Sequence, residues 1–246
     1  MIGIIDSGLG GLSVALPLAA ALPRVSIIYL ADQAYAPYGE RTQVEIQERL
    51  RQVTRWFVGR GASLIVLACN TATVNAIDAL RAEFTDLTFV GMEPAMKPAA
   101  LAVDRILVIG TNSTVQNARY QALVDAHASG KTVWHVGAPE LVRQVEAGEL
   151  DRTDQLEARI QPYINQGIEG LVIGCSHFTF LVPAIARRWP IVRIFDGAEG
   201  VVRRIVAILQ QEPACVMRGT REYWTTGQAR TISFVQPSIN FAHAVL

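Results

Sequence analysis

The chain has 246 residues, half of them hydrophobic, and its 22 basic residues balance 22 acidic ones. That length and apolar content suit one large α/β core or two of ordinary size. A net charge of zero lacks the basic footprint of a nucleic-acid binder, and no apolar run reaches the ~20 residues of a membrane span.

In chain order, residues 2–5 read as an apolar strand closed by Asp6-Ser7-Gly8. The uncharged stretch 7–23 imitates a secretory leader, but acidic Asp6 stands where a basic segment belongs, and Gly8, Gly10, Gly11, Pro17 and Pro23 interrupt it. It reads as a strand end, a glycine turn and a core helix over 12–21, in a chain expected in the cytoplasm. Gly8-Leu9-Gly10-Gly11 lacks the third glycine of a dinucleotide loop, so it is expected to make a turn or admit a ligand close to the backbone. Strands follow at 26–30, 64–69 and 88–91, with helices at 42–59 and 73–84 between them. A second series has strands at 105–109, 132–136, 171–175 and 192–195, and helices at 115–126, 154–165 and 180–188. Apolar strands alternating with helices predict an α/β fold with mostly parallel sheets covered on both faces.

The two series repeat one another. Gly61, the run Ile65-Val66-Leu67-Ala68 and Cys69 match Gly167, Leu171-Val172-Ile173-Gly174 and Cys175, with glycine and cysteine equally spaced. Residues 2–7 likewise match 106–111. The period is far too long for a solenoid. Two pseudo-symmetric three-layer α/β domains are predicted, one over 1–95 plus 208–246 and one over 96–207, with an active site in the cleft between them.

Ligands of parallel sheets gather beyond the carboxyl ends of the strands. Asp6-Ser7-Gly8, Cys69-Asn70-Thr71 and Cys175-Ser176-His177 all fall there. Two cysteines flanking one carbon could invert its configuration, one accepting a proton as thiolate and the other donating as thiol. Asp6 and His177 are proton partners close at hand. Plainer readings stay open: core thiols, a structural histidine, and Asp6 as a helix N-cap. Three cysteines, the third being Cys215, make no disulfide framework, and no close cysteine pair supports a zinc site around Cys69, Cys175 and His177. Lys97 and Lys131 are the chain's lysines, and neither sits with the polar clusters as a Schiff-base lysine would.

These motifs, with Pro37-Tyr38-Gly39-Glu40 and Glu93-Pro94-Ala95, resemble in order those of the glutamate racemases in the aspartate/glutamate racemase superfamily. The resemblance implies racemisation of L- and D-glutamate, supplying D-glutamate for peptidoglycan, with no pyridoxal phosphate, metal or nucleotide. It implies Cys69 as the base for D-glutamate and Cys175 for L-glutamate, assisted by Asp6, His177 and Glu146. Asp6, Ser7, Pro37, Tyr38, Gly39, Asn70, Thr71, Thr114, Ser176 and His177 match substrate-binding positions. Glutamate is then the partner, with no nucleic acid and no membrane, and a homodimer stays open. The first strand starts at Ile2, so no N-terminal extension is expected to help build a site for a regulatory cell-wall precursor. Ser176, Phe178 and Thr179 stand where the family usually has Thr, Tyr and Pro, and Arg143-Gln144 interrupts a usually apolar segment. An aspartate racemase, a degenerate binding protein of the same fold and a dinucleotide-dependent oxidoreductase are the rival readings.

Overall fold

Strands that are apolar throughout need cover on both faces, and every residue of β1 (Ile2–Asp6), β2 (Ile27–Ala31) and β3 (Leu64–Leu67) is buried. The computed structural model describes residues 1–211, 219–229, 231–234 and 238–246. Cys215 lies outside the described residues. Two compact units emerge, Met1–Met92 with Ala198–Leu246, and Glu93–Gly197.

In the first unit β1, β2, β3 and β4 (Thr88–Gly91) alternate with α1 (Leu12–Ala21), α2 (Gln43–Val58) and α3 (Asn70–Glu83). Side chains alternate along a strand. Ile5, Ile28, Leu30, Ile65 and Leu67 accordingly share one core with Leu50, Val53 and Phe57 of α2 and Ala76, Ile77 and Leu80 of α3. Thr42 and Glu45 close a capping box that starts α2. Strand β3 is shorter than its apolar run suggested. It stops at Leu67, so Cys69 lies outside the ladder as the N-cap of α3, whose first turn takes in Asn70 and Thr71. Polar residues fit there because the first amides of a helix need no partner within it.

The second unit runs through α4 (Met96–Ala102), β5 (Arg105–Gly110), α5 (Asn112–Val115), α6 (Ala118–His127), β6 (Thr132–Gly137), α7 (Pro139–Glu146), α8 (Asp154–Ile164), β7 (Gly170–Gly174), α9 (Val182–Arg188) and β8 (Arg193–Asp196). The helix expected over 115–126 is broken, because the Asn117 side chain accepts from Arg119 N at 2.9 Å and starts α6 afresh. A 3-10 turn over Ser176–Leu181 replaces the first part of the helix expected from residue 180.

The chain then adds α10 (Ala198–Gln211), packed on α1, and the strands β9 (Arg221–Thr225), β10 (Thr231–Ile232), β11 (Ile239–Asn240) and β12 (Ala242–His243). The first unit's main sheet is ordered β12-β9-β2-β1-β3-β4 and the second's β6-β5-β7-β8, all parallel. Leaving aside β9 and β12, both units share one order, in which the first strand lies between the second and the third. The internal repeat of the sequence is thus a repeat of topology.

Candidate active site

A parallel sheet with this order reverses winding direction between its first and third strands, and the crevice at that point is where such sheets bind ligands. In the first unit β1 and β3 flank the reversal. Asp6 and Ser7 leave one strand, and Cys69 follows the other. In the second unit β5 and β7 flank it, with Thr111 on one side and Cys175 on the other.

Asp6 is fully buried, and its Oδ1 accepts from Gly8 N at 2.8 Å. Gly11 is the N-cap of α1, so Asp6 shapes the loop and does not cap the helix. A Cβ on Gly11 would come within 2.7 Å of Asp6 Cβ and 3.0 Å of both Ala68 Cβ and a Tyr29 ring carbon. This glycine therefore lets the loop lie against two strand ends. Tyr29 clamps the same loop by donating to Gly8 O at 2.6 Å.

Ser7 Oγ lies 3.9 Å from Cys69 Sγ, the first direct contact between polar groups that the sequence singled out. Thr73 Oγ1 donates to the carbonyls of Leu67 (3.2 Å) and Cys69 (3.1 Å) and accepts from Met92 N (3.1 Å), locking the strand-to-helix junction. The sulfur thus sits at the positive end of a 14-residue helix, where negative charge is favoured. Thr71 is buried beside it, and the Asn70 amide gives one long bond to Met92 O at 3.4 Å. Asn70 Oδ1 is buried with no hydrogen-bond partner among the described residues.

Pro37, Tyr38 and Gly39 stand at a short 3-10 turn. Tyr38 is buried in the same apolar cluster as Cys69, and its hydroxyl donates to Asp32 Oδ2 at 2.7 Å. Burial first, then the Asp32 charge, holds the phenol well above its ordinary range, so it remains a neutral donor. Sequence reading missed Asp32 and its partner Arg49. The available signal was an acidic residue one position beyond β2, at the carboxyl edge of the sheet.

In the second unit Cys175 and His177 are buried, and Cys175 Sγ lies 3.9 Å from His177 Nδ1. His177 Nε2 is 2.7 Å from Glu146 Oε1. A carboxylate only accepts, so Nε2 carries the hydrogen and Nδ1 is left facing the sulfur. Ser176 is fully buried, and Thr114 is buried with its Oγ1 3.0 Å from Thr111 Oγ1. The polar departure before Glu146 has a structural use. Gln144 is buried and donates to the carbonyls of Glu149 (2.8 Å) and Arg152 (2.7 Å), closing the turn behind α7.

The sequence matches the family model for Asp/Glu/Hydantoin racemases over residues 4–205. The chain belongs to the Asp/Glu/hydantoin racemase family. Within it, the chain is 37% identical to the glutamate racemase of Pseudomonas entomophila, covering 97% of this chain and 93% of that one. It is 35% identical to the glutamate racemase of Stutzerimonas stutzeri, covering 100% and 96%. Its fold is similar to that of Escherichia coli glutamate racemase in complex with L-glutamate and the activator UDP-MurNAc-Ala, with a TM-score of 0.84, 29% identity and coverage of 92% and 89%. This racemase chain also shares the fold of an aspartate racemase from Picrophilus torridus, at a TM-score of 0.59 and 14% identity over 86% and 94% of the two chains.

Proposed function

We propose that this protein is a glutamate racemase that inverts the substrate's α-carbon with two thiols, Cys69 and Cys175. The observation that carries the reading is that each unit offers one cysteine at its sheet's winding reversal, with polar groups beside it. Matches to glutamate racemases at 35% and 37% identity over nearly the whole chain support glutamate as the substrate.

One sulfur, as thiolate, takes the α-proton from one face, and the resulting carbanion takes a proton from the other sulfur on the opposite face. Turnover leaves the thiol and thiolate exchanged, so the reverse reaction starts from the product state. Cys69 serves D-glutamate and Cys175 serves L-glutamate. Ser7 and Asp6 support Cys69, while His177, oriented by Glu146, hands protons to and from Cys175. The unpartnered Asn70 Oδ1 suits a substrate ammonium, which has donors and no acceptor. Thr71, Thr114, Ser176, Tyr38 and Gly39 are assigned to substrate binding because they match the substrate-binding positions of glutamate racemases. No pyridoxal phosphate, metal or nucleotide takes part. D-Glutamate made in the cytoplasm would feed peptidoglycan synthesis. Among the described residues no helix is long and apolar enough to cross a membrane.

The test is dialysed, metal-free protein incubated with L-glutamate and followed by circular dichroism, beside an equal sample given L-aspartate. Loss of optical rotation with glutamate, unaffected by carbonyl reagents, is the expected result. Activity that appears only with added pyridoxal phosphate or metal would remove the two-thiol mechanism. Equal or faster turnover of aspartate would remove the substrate assignment, since one methylene is worth about 1–3 kcal/mol in a fitted pocket.

A further inference from the structure

Asp32 is fully buried one residue beyond β2, and four side-chain donors converge on its carboxylate. Arg49 of α2 binds it in a fork, Nη2 to Oδ1 at 2.6 Å and Nε to Oδ2 at 2.8 Å. Tyr38 donates to Oδ2 at 2.7 Å, and Thr226, just past β9, donates to Oδ1 at 2.7 Å. A buried carboxylate is tolerated only with such partners. Arg49 alone would satisfy that need for charge, so Tyr38 and Thr226 call for a further account.

Both belong to the segment between β2 and α2 or hold it down. Thr226 Oγ1 also accepts from Ala34 N at 3.0 Å, Thr226 N donates to Ala31 O at 3.1 Å, and Thr225 Oγ1 donates to Gln33 Oε1 at 2.9 Å. The start of the Pro37-Tyr38-Gly39 loop is therefore tied, residue by residue, to a strand that arrives almost 200 positions later. Tyr38 at the other end of the loop packs in the cluster that contains Cys69.

We propose that Asp32 is a positioning residue for the substrate-binding loop at Tyr38 and Gly39, and that Thr226 latches that loop to the C-terminal strand β9. The inference rests on the racemase reading for what the loop binds. The latch itself stands on the hydrogen bonds above.

Amide hydrogen exchange over residues 34–41 and steady-state kinetics with glutamate test it together, using full-length Thr226→Val, Thr226→Ser and Asp32→Asn. Thr226→Val keeps the shape and loses the hydroxyl. It should speed exchange in that loop and raise KM for glutamate by about fivefold, the equivalent of a lost hydrogen bond, with kcat changed much less. Thr226→Ser should restore both values, which repacking alone would not do. Asp32→Asn should show a larger effect of the same kind where it folds. Wild-type exchange in Thr226→Val would overturn the latch. A loosened loop with an unchanged KM would overturn its role in placing substrate. Wild-type protein inert toward glutamate would overturn the racemase reading instead, while the exchange measurement still decides the latch.

Discussion

Glu146, at the end of α7, fixes the ring of His177 through a 2.7 Å bond across 31 positions of sequence. The bond chooses which imidazole nitrogen faces Cys175. Neutralising the carboxylate in Glu146→Gln keeps the shape and permits the opposite tautomer. Where a buried carboxylate orients a catalytic histidine, such a change costs on the order of 10⁴ in kcat. Glu146 is 25% exposed and water can substitute in part, so about 10- to 100-fold is expected. Unchanged kcat in Glu146→Gln would show that the dyad is only structural.

Replacing either thiol should abolish inversion while sparing half of the chemistry. In D₂O, Cys175→Ala should exchange the α-proton of D-glutamate alone, and Cys69→Ala that of L-glutamate alone. Proton NMR of the α-position reads both. Racemisation near the wild-type rate by either variant would mean that one sulfur, or neither, does the work.

Gly11→Ala inserts a methyl group against Asp6 Cβ, Ala68 Cβ and the Tyr29 ring, none of which is the loose end of a flexible side chain. Overpacking of this kind costs about 1–3 kcal/mol, so the melting temperature should fall. Activity should fall further than stability explains, because the displaced groups are Asp6 and the residue before Cys69. Thermal melts and kcat on one preparation separate the two effects.

His135 accepts or donates a 2.8 Å bond with the buried Tyr120 hydroxyl, and burial lowers its pKa from the ordinary 6.5. The unfolded histidine therefore protonates at a higher pH than the folded one. Stability is full above about 6.5, declines as pH falls below it, and stops declining below the folded pKa. His135→Gln should lose less melting temperature than wild type between about pH 7.5 and 5.5, and the difference should be small because the ring is partly exposed. An equal loss in both would assign the acid sensitivity elsewhere.

The sequence made the cysteines legible because a parallel strand announces its own end. An apolar run stops, a polar triplet follows, and the same spacing occurs twice. The alternation of strands and helices in two similar units followed from the same repetition, whereas strand order and register came only with the fold. The Asp32–Arg49 pair was not legible, since an acidic residue after a strand and an arginine 17 positions on signal nothing until α2 packs on the sheet. Strand β9 was hidden for a related reason. Arg221-Glu222-Tyr223-Trp224-Thr225 is only half buried, and its place depends on pairing with β2. The position of Cys69 lay between these cases, because Asn70 and Thr71 read as loop and prove to be the first helical turn.

The placement of β9 has a consequence for the order in which the protein is made. Glu93–Gly197 is one uninterrupted stretch, so that unit can finish folding while the ribosome is still adding residues. The other unit cannot. Its strand β2 keeps an unpaired edge from the moment it is synthesised until Arg221–Thr225 emerges to pair with it. Nascent chains stalled before residue 221 should therefore show the later-encoded unit resisting protease while the earlier-encoded one is still cleaved, and such an open edge is the kind that recruits other strands. Resistance of both units in the stalled chain would mean that β2 needs no partner. In vectorial synthesis the first residues out are, for this fold, among the last to be secured.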